Sequence, residues 1–386
     1  MQDRRFSGAA RSFADSVTRT FLALLLILVL GMQTYASGKS EQGSSPSDLN
    51  VMTFNIRYGN ADDKENSWPN RREMVFGVLR EQAPDVVGLQ EALRFQIDEI
   101  RAALPQYGEI GVGREDGKAG GEYSAILYRK DCLTLDDSGT FWLSDTPEVP
   151  GSISWNSACR RVCTWGRFIP KDSDAASEKG ESGLYSSTKS IGSISLKNGQ
   201  GEVLVARPGF GREKPKREVF PSQSRPDSPF SAFYLFNTHL DHQSQPARQN
   251  GAILLSRRIA ERKHADPVIL TGDFNAGEDN PAVQYLKGLA ELAAPDGLQS
   301  KTPIPLVDSF RVVHPAEQVV GTFHDFQGGV DSGKIDYIFV QPGVEVKSAK
   351  ILHDNKDGRY PSDHFPVIAV LHLPETARED SSSQSK

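Results

Sequence analysis

Six short polar segments, each closing an apolar strand-like run, hold the residues that could do chemistry. They are TFNIR (53–57), LQE (89–91), NTHLDH (237–242), TGDFN (271–275), KIDYIF (334–339) and PSDHFPV (361–367). Together they supply Asn, Glu, Asp and His, the side chains needed to hold a hard divalent cation and hydrolyse a phosphate ester. In TGDFN, Gly272 permits close backbone approach, and period two sends Asp273 and Asn275 to one side and Phe274 to the other. A carboxylate beside a carboxamide can orient one water and one phosphate oxygen. By itself the segment reads equally well as a Gly-Asp turn ending a strand.

The remaining acids and imidazoles fall into place around that pair. Glu91 ends the run VVGLQ, where an acid either faces a site or caps the next helix. Asn55 ends the first strand in the same manner, and a neutral amide beside carboxylates can bind metal-bound water or a phosphate oxygen without repulsion. Asp363 and His364 are adjacent and point in different directions, so one can reach a metal and the other the phosphate. Asp336, between Ile335 and Tyr337, reads as the carboxylate that fixes the tautomer of His364 and raises its pKa. His239 shares a strand side with Asn237, and Glu122 is a second orienting carboxylate. Arg72 and Arg161 are candidates for a substrate rim, with Trp68 and Trp155 beside them or in the core, and His324 is a rim residue at best. The oxygen-rich set favours Mg2+ or Mn2+ over zinc and leaves the number of ions open.

Other chemistries find no support. There is no GKS or GKT phosphate loop and no GxSxG elbow, and the glycine-rich stretch 111–121 lacks the strand–turn–helix context of a dinucleotide loop. A net charge of −6 provides no global basic field for non-specific nucleic-acid binding, although a local groove with a metal still permits a nuclease. Cys132, Cys159 and Cys163 make no disulfide framework and have no zinc-ligand spacing, so they read as small buried side chains.

The elements that must position these residues alternate between strand and helix. Residues 49–56 and 85–90 read as buried strands, separated by a helix that Asn70 caps with Glu73 as its capping-box partner and Pro84 stops. A second helix presents Leu93, Ile97, Ile100 and Leu104 on one face. Strands follow at 122–129, 233–238, 268–271, 335–340 and 365–371, with helices over 247–263 and from Asn280-Pro281. In a chain of 386 residues, 38% hydrophobic and 24% charged, this describes one large α/β domain over 49–373. Residues 1–36 read as a signal peptide, with basic residues ahead of a short apolar run at 21–30, or else as an uncleaved anchor. Residues 37–48 read as a flexible linker, 171–231 as a low-complexity insertion with room for one hairpin, and 374–386 as a polar tail.

In this order the segments resemble the endonuclease/exonuclease/phosphatase (deoxyribonuclease I-like) superfamily. TFNIRYGN, NSWPNRRE, GLQEAL, FWLSDTP, TWGRF, NTHLDH and KIDYIFV are most similar to an exported bacterial subgroup. The resemblance implies a four-layer α/β/β/α sandwich, two mostly antiparallel sheets face to face, with the site at one rim. It implies Asn55, Glu91 and Asp363 as the metal centre, and Asp273 and Asn275 on the water and a phosphate oxygen. His239 and His364 would serve the phosphate, oriented by Glu122 and Asp336 respectively.

The expected reaction is in-line attack of water on a phosphate ester. Asp273, or His364 with Asp336, takes the water proton, and His239 or metal-bound water protonates the leaving oxygen. A phosphodiesterase or nuclease is expected first, with nucleic acid or a nucleotide as substrate. A phosphomonoesterase for sugar or inositol phosphates comes next, then a lipid phosphodiesterase, although nothing outside the leader suggests membrane docking. A non-catalytic surface-binding descendant should have lost one of Asn55, Glu91, Asp273, Asp363 or His364, and all are present.

Overall fold

A computed structural model describes residues 48–171 and 232–374, all within the unit Pro46–Lys386. The expected signal peptide, most of the linker and insertion, and the tail after residue 374 lie outside the described residues. The first stretch runs β1 (Asp48–Asn55), α1 (Trp68–Gln82), β2 (Val86–Gln90), α2 (Arg94–Ala103), β3 (Tyr107–Ile110), β4 (Ile126–Arg129), β5 (Leu133–Trp142) and β6 (Val162–Pro170). The second begins with β7 (Phe233–His239), α3 (Gln245–Ala260), β8 (Val268–Asp273), α4 (Pro281–Leu286), β9 (Leu292–Ala293) and β10 (Gln299–Ser300). It ends with β11 (Val307–Asp308), α5 (Ser309–Val313), β12 (Asp336–Val340), β13 (Glu345–Ile351) and β14 (Val367–His372).

Two six-stranded sheets form, in the orders β13-β14-β1-β2-β4-β3 and β11-β12-β8-β7-β6-β5. Only β1/β2 and β7/β8 pair in parallel within them, each joined through a helix, α1 or α3. Strand alternation sets the layers. Met52, Phe54, Val87 and Leu89 face outward onto Val75, Leu79, Ile97 and Ile100 of α1 and α2. Tyr234, Phe236 and Leu270 face the other way, onto Leu255 and Ile259 of α3 and Val283 of α4. Val51, Val86, Leu235, Ile269 and Ile338 meet between the sheets. Each such burial contributes about 1.5–3 kcal/mol, so the α/β/β/α order follows from which side of each strand is apolar.

Along the inward sides the chemistry changes with height. Leu49 and Val51 give way to Thr53 and Asn55 on β1, Phe233 and Leu235 to Asn237 and His239 on β7, and Ile269 to Thr271 and Asp273 on β8. Asn237 is the transition point. Its amide donates to the carbonyls of Leu89 (2.8 Å) and Ala125 (2.9 Å) on the opposite sheet and accepts from Gln90 (2.7 Å) and Thr271 (3.1 Å). All four hydrogen-bonding positions are filled, so the buried amide carries no orphan penalty. Gly88 makes this approach possible, because a Cβ there would overlap Asn237 Oδ1 and Thr271 Oγ1.

Several local expectations change. Helix α1 begins at Trp68 rather than at Asn70. Ser67 occupies the cap position, Pro69 sits in the first turn, and the Asn70 amide donates to Ser67 Oγ at 3.1 Å. Proline's fixed φ suits that first turn and moves the boundary forward. Of the strand expected over 122–129 only Ile126–Arg129 is regular, with Tyr123 bridging Ala92 before it. The edge strands β3 and β13 were not anticipated, since their sequences YGEI and EVKSAKI lack a clear apolar run. No disulfide joins the three cysteines; Cys163 is buried, and Cys132 and Cys159 are half-buried.

Candidate active site

The carboxyl ends of β1, β2, β7 and β8 and the amino ends of β12 and β14 meet at one rim. Register brings Asp336 opposite Asp273 and His239 opposite Asp273. Glu91, His239, Asp273, Asn275, Asp363 and His364 line a cleft of about 430 Å³ there. Asn55 and Asp336 lie fully buried against it.

His364 stands between two carboxylates. Its Nδ1 is 2.9 Å from Asp336 Oδ2 and its Nε2 is 3.7 Å from Asp273 Oδ2. Burial alone would lower the imidazole pKa, but Asp336 and Asp273 outweigh it and raise it well above the ordinary value. Asp273 is pushed up to about 7, first by burial and then by Asp336. Three ligand atoms of Asp273, Asp336 and His364 lie within 4.8 Å of one another, and a proton on the imidazole already accounts for that closeness.

The acids on the other wall fit a cation. Glu91 accepts from Asn55 Nδ2 (3.1 Å) and the Tyr58 amide (2.8 Å), while Asp363 accepts from Ser362 Oγ (3.1 Å) and lies 3.5 Å from Arg57. Burial and then, after the opposing His364, the nearby Glu91 raise the Asp363 pKa. A half-buried and a buried acid facing one cleft, with backbone and hydroxyl donors holding their orientation, fit a divalent ion with oxygen ligands. Asn55, the third expected ligand, stands between Glu91 and Asp273. Its Oδ1 is held by the Arg57 amide (2.9 Å), and its nitrogen faces Glu91 and Asp273 (3.0 Å). It therefore spaces the carboxylates by donating to them. The cluster Cys159, Asp241 and His242 is no comparable site. Asp241 already accepts from Ser157, Ala158, Gln243 and Ser244, and Arg161 sits 3.8 Å away.

His239 does not contact Glu122 directly. Glu122 forms a two-point pair with Arg114 at 2.7 Å, because the guanidinium offers a better match to a carboxylate than one imidazole N–H. His239 Nε2 instead lies 2.9 Å from Asn275 Nδ2 and 3.4 Å from Asp273. Burial, followed by Arg161 and Arg114, pulls its pKa well below the ordinary value, so this imidazole is neutral.

At the rim, Arg161 lines the cleft and donates to His242 Nδ1 at 3.0 Å. Arg72 does not line it. That side chain pairs with Glu99 at 3.1 Å on the helical surface, and Trp68 packs in the core. His324 sits behind the site, stacked on Phe365 with centroids 3.9 Å apart, its amide donating to the Asp363 carbonyl at 2.8 Å. The neighbour the sequence reading passed over is Arg71. This buried guanidinium donates to the carbonyls of Ile56 (2.7 Å), Pro361 (3.0 Å), Arg57 (3.0 Å) and Asn66 (2.9 Å), tying the end of β1 to the segment that carries Asp363. Arg57, which lines the cleft, was also missed. Arg57, Glu91 and Asn275 all adopt left-handed φ (58°, 59° and 46°), a concentration of backbone strain typical of a functional rim.

The model of the Endonuclease/Exonuclease/phosphatase family matches residues 52–364. The chain belongs to that family. Members of the endonuclease/exonuclease/phosphatase family are phosphoester hydrolases. An endonuclease/exonuclease/phosphatase from Bacteroides vulgatus is 31% identical, with a TM-score of 0.62, over 85% of this chain and 99% of the other. A mannosyl-6-phosphatase of Bacteroides thetaiotaomicron is 29% identical, with a TM-score of 0.60, over 84% of this chain and 99% of the other. Two uncharacterised proteins of Acanthamoeba polyphaga mimivirus, L388 and R895, are 27% and 26% identical over 28% and 30% of this chain. Those matches span only 42% and 19% of the viral proteins.

Proposed function

We propose that this family member is a divalent-metal-dependent phosphomonoesterase acting on a hexose phosphate. The observation that carries the reading is the cleft itself. Its volume of about 430 Å³ falls in the range of about 300–1,000 Å³ for small-molecule pockets. Arg57, Arg114 and Arg161 on its walls suit a dianionic phosphate, while the chain as a whole is acidic. Similarity to a mannosyl-6-phosphatase along nearly that protein's whole length supports the same choice and moves the diester reading to second place.

In this reading a water attacks phosphorus in line with the ester oxygen, so that a new P–O bond forms as the ester P–O bond breaks. Asp273, held near neutrality in its proton affinity, accepts the water proton. His364, charged through Asp336, faces the phosphate and returns a proton to the departing alkoxide. Glu91 and Asp363 would hold Mg2+ or Mn2+, which when bound supplies neutralisation of charge on the phosphoryl oxygens. The basic-then-apolar start of the chain supports export, which cell fractionation tests.

The test is a panel with the purified protein in magnesium, in manganese and after chelation. Metal-dependent phosphate release from mannose 6-phosphate or glucose 6-phosphate, with kcat/KM above that for bis(p-nitrophenyl) phosphate, RNA or DNA, is expected. Preference for any diester overturns the reading.

A further inference from the structure

The amide of Asn275 fixes the proton on His239. Its Nδ2 donates to the Leu240 carbonyl at 3.1 Å, which only accepts, so the nitrogen and not the oxygen faces His239. The second hydrogen of that nitrogen points to His239 Nε2 at 2.9 Å, which must therefore accept. A neutral imidazole accepting at Nε2 carries its proton on Nδ1. That atom is buried and has no hydrogen-bond partner among the described residues.

His239 lines a small cavity of about 10 Å³ together with Glu122, Ser124, Arg114 and Arg161. This is about the space one water requires, and a water there has polar partners of both kinds. Arg161 Nε and Nη1, likewise without hydrogen-bond partners, are donors, and the Glu122 carboxylate is an acceptor. An anion would face Glu122, and a cation would face two guanidinium groups. Water alone satisfies both.

We propose that this cavity is a binding site for one structural water, through which Glu122 and Arg161 hold His239 as its Nδ1–H tautomer. The lone pair of Nε2 is then committed to Asn275. His239 orients that amide and gives no proton to the leaving oxygen, which leaves His364 as the imidazole that does. The inference on His364 rests on the proposed hydrolysis, while the tautomer and its water do not.

The test is nitrogen-15 NMR of the full chain with labelled histidine, in the absence of metal, with His239→Gln to assign the ring. Nδ1 is expected to be protonated and Nε2 unprotonated, with a cross-relaxation peak from the Nδ1 proton to long-lived bound water. A ring protonated at Nε2, or no water contact, overturns the proposal without reference to turnover. Ser124→Val, which fills the cavity, is expected to abolish the water cross-relaxation peak while Asn275 keeps the proton on Nδ1, and to lower kcat by about tenfold at constant KM, less than loss of a general acid costs. A water cross-relaxation peak that persists in a folded Ser124→Val protein also overturns it. Hydrolysis of diesters alone would instead refute the function proposed above and leave the water site standing.

Discussion

Asp336 Oδ2 accepts from His364 Nδ1 at 2.9 Å, and neither side chain is more than 6% exposed. That contact makes the histidine a buried cation. Because its pKa is raised in the folded chain, its stabilising contribution is complete below the unfolded value of about 6.5 and is lost as pH climbs through the raised folded value. The urea midpoint of metal-free protein should therefore decline on the alkaline side, and His364→Gln should flatten that decline. Asp336→Asn should lower kcat by about 10² or more through loss of the charged imidazole. Steady-state rates and denaturation across pH check both.

Asp273→Asn should separate activity from stability. The native carboxyl is pushed up to about 7, against about 3.9 in an unfolded chain, so the fold loses stability as pH rises through that interval. Above pH 7 the variant should be more stable than the parent, on the order of 2 kcal/mol, while hydrolysis falls at least about 10²-fold. A lower melting temperature at pH 8 would argue that the charge is compensated better than its burial suggests.

Arg71 and Arg72 are neighbours with opposite expectations. Arg71→Met takes a donor from four backbone carbonyls, of which that of Arg57 keeps Gln96 Nε2 at 3.1 Å, and loosens the link between Ile56 and Pro361. The magnesium concentration for half activity should rise by about 10–100-fold, as for other groups that orient metal ligands. Arg72→Met, which breaks a half-exposed pair with Glu99, should change stability by less than about 1 kcal/mol and leave the metal titration unchanged.

Gly88→Ala should cost about 3 kcal/mol or more, since its methyl group would enter the space held by Asn237 and Thr271 between the sheets. Chemical denaturation measures this directly. A near-neutral result would mean the two sheets can part locally.

Much of the fold could be read from the chain because most site residues lie at one end or the other of an apolar run. Asn55, Glu91, His239 and Asp273 sit at strand ends that periodicity alone locates, and the apolar faces of α1 and α2 are equally plain. What the sequence concealed was pairing between distant segments. Nothing near Glu122 in the sequence says that Arg114 will reach it before His239 does, since the loop between them must first close. Likewise Arg71 and Arg72 are indistinguishable until the helix is rotated against β1. The direction of the Asn55 amide depends on a backbone turn at Arg57 with left-handed φ, a conformation that arginine itself does not announce.

The sheet orders carry a consequence for biogenesis. Strands β5 and β6 belong to the sheet built mainly from the second half of the chain, while β13 and β14 complete the sheet begun by the first. Each half thus clasps the other, and neither contains a finished sheet. One flank of β1 must wait for β14, which pairs Asp48 with His372 across almost the entire described chain. A ribosome-bound nascent chain would present that open edge of β1 until β14 has emerged to cover it.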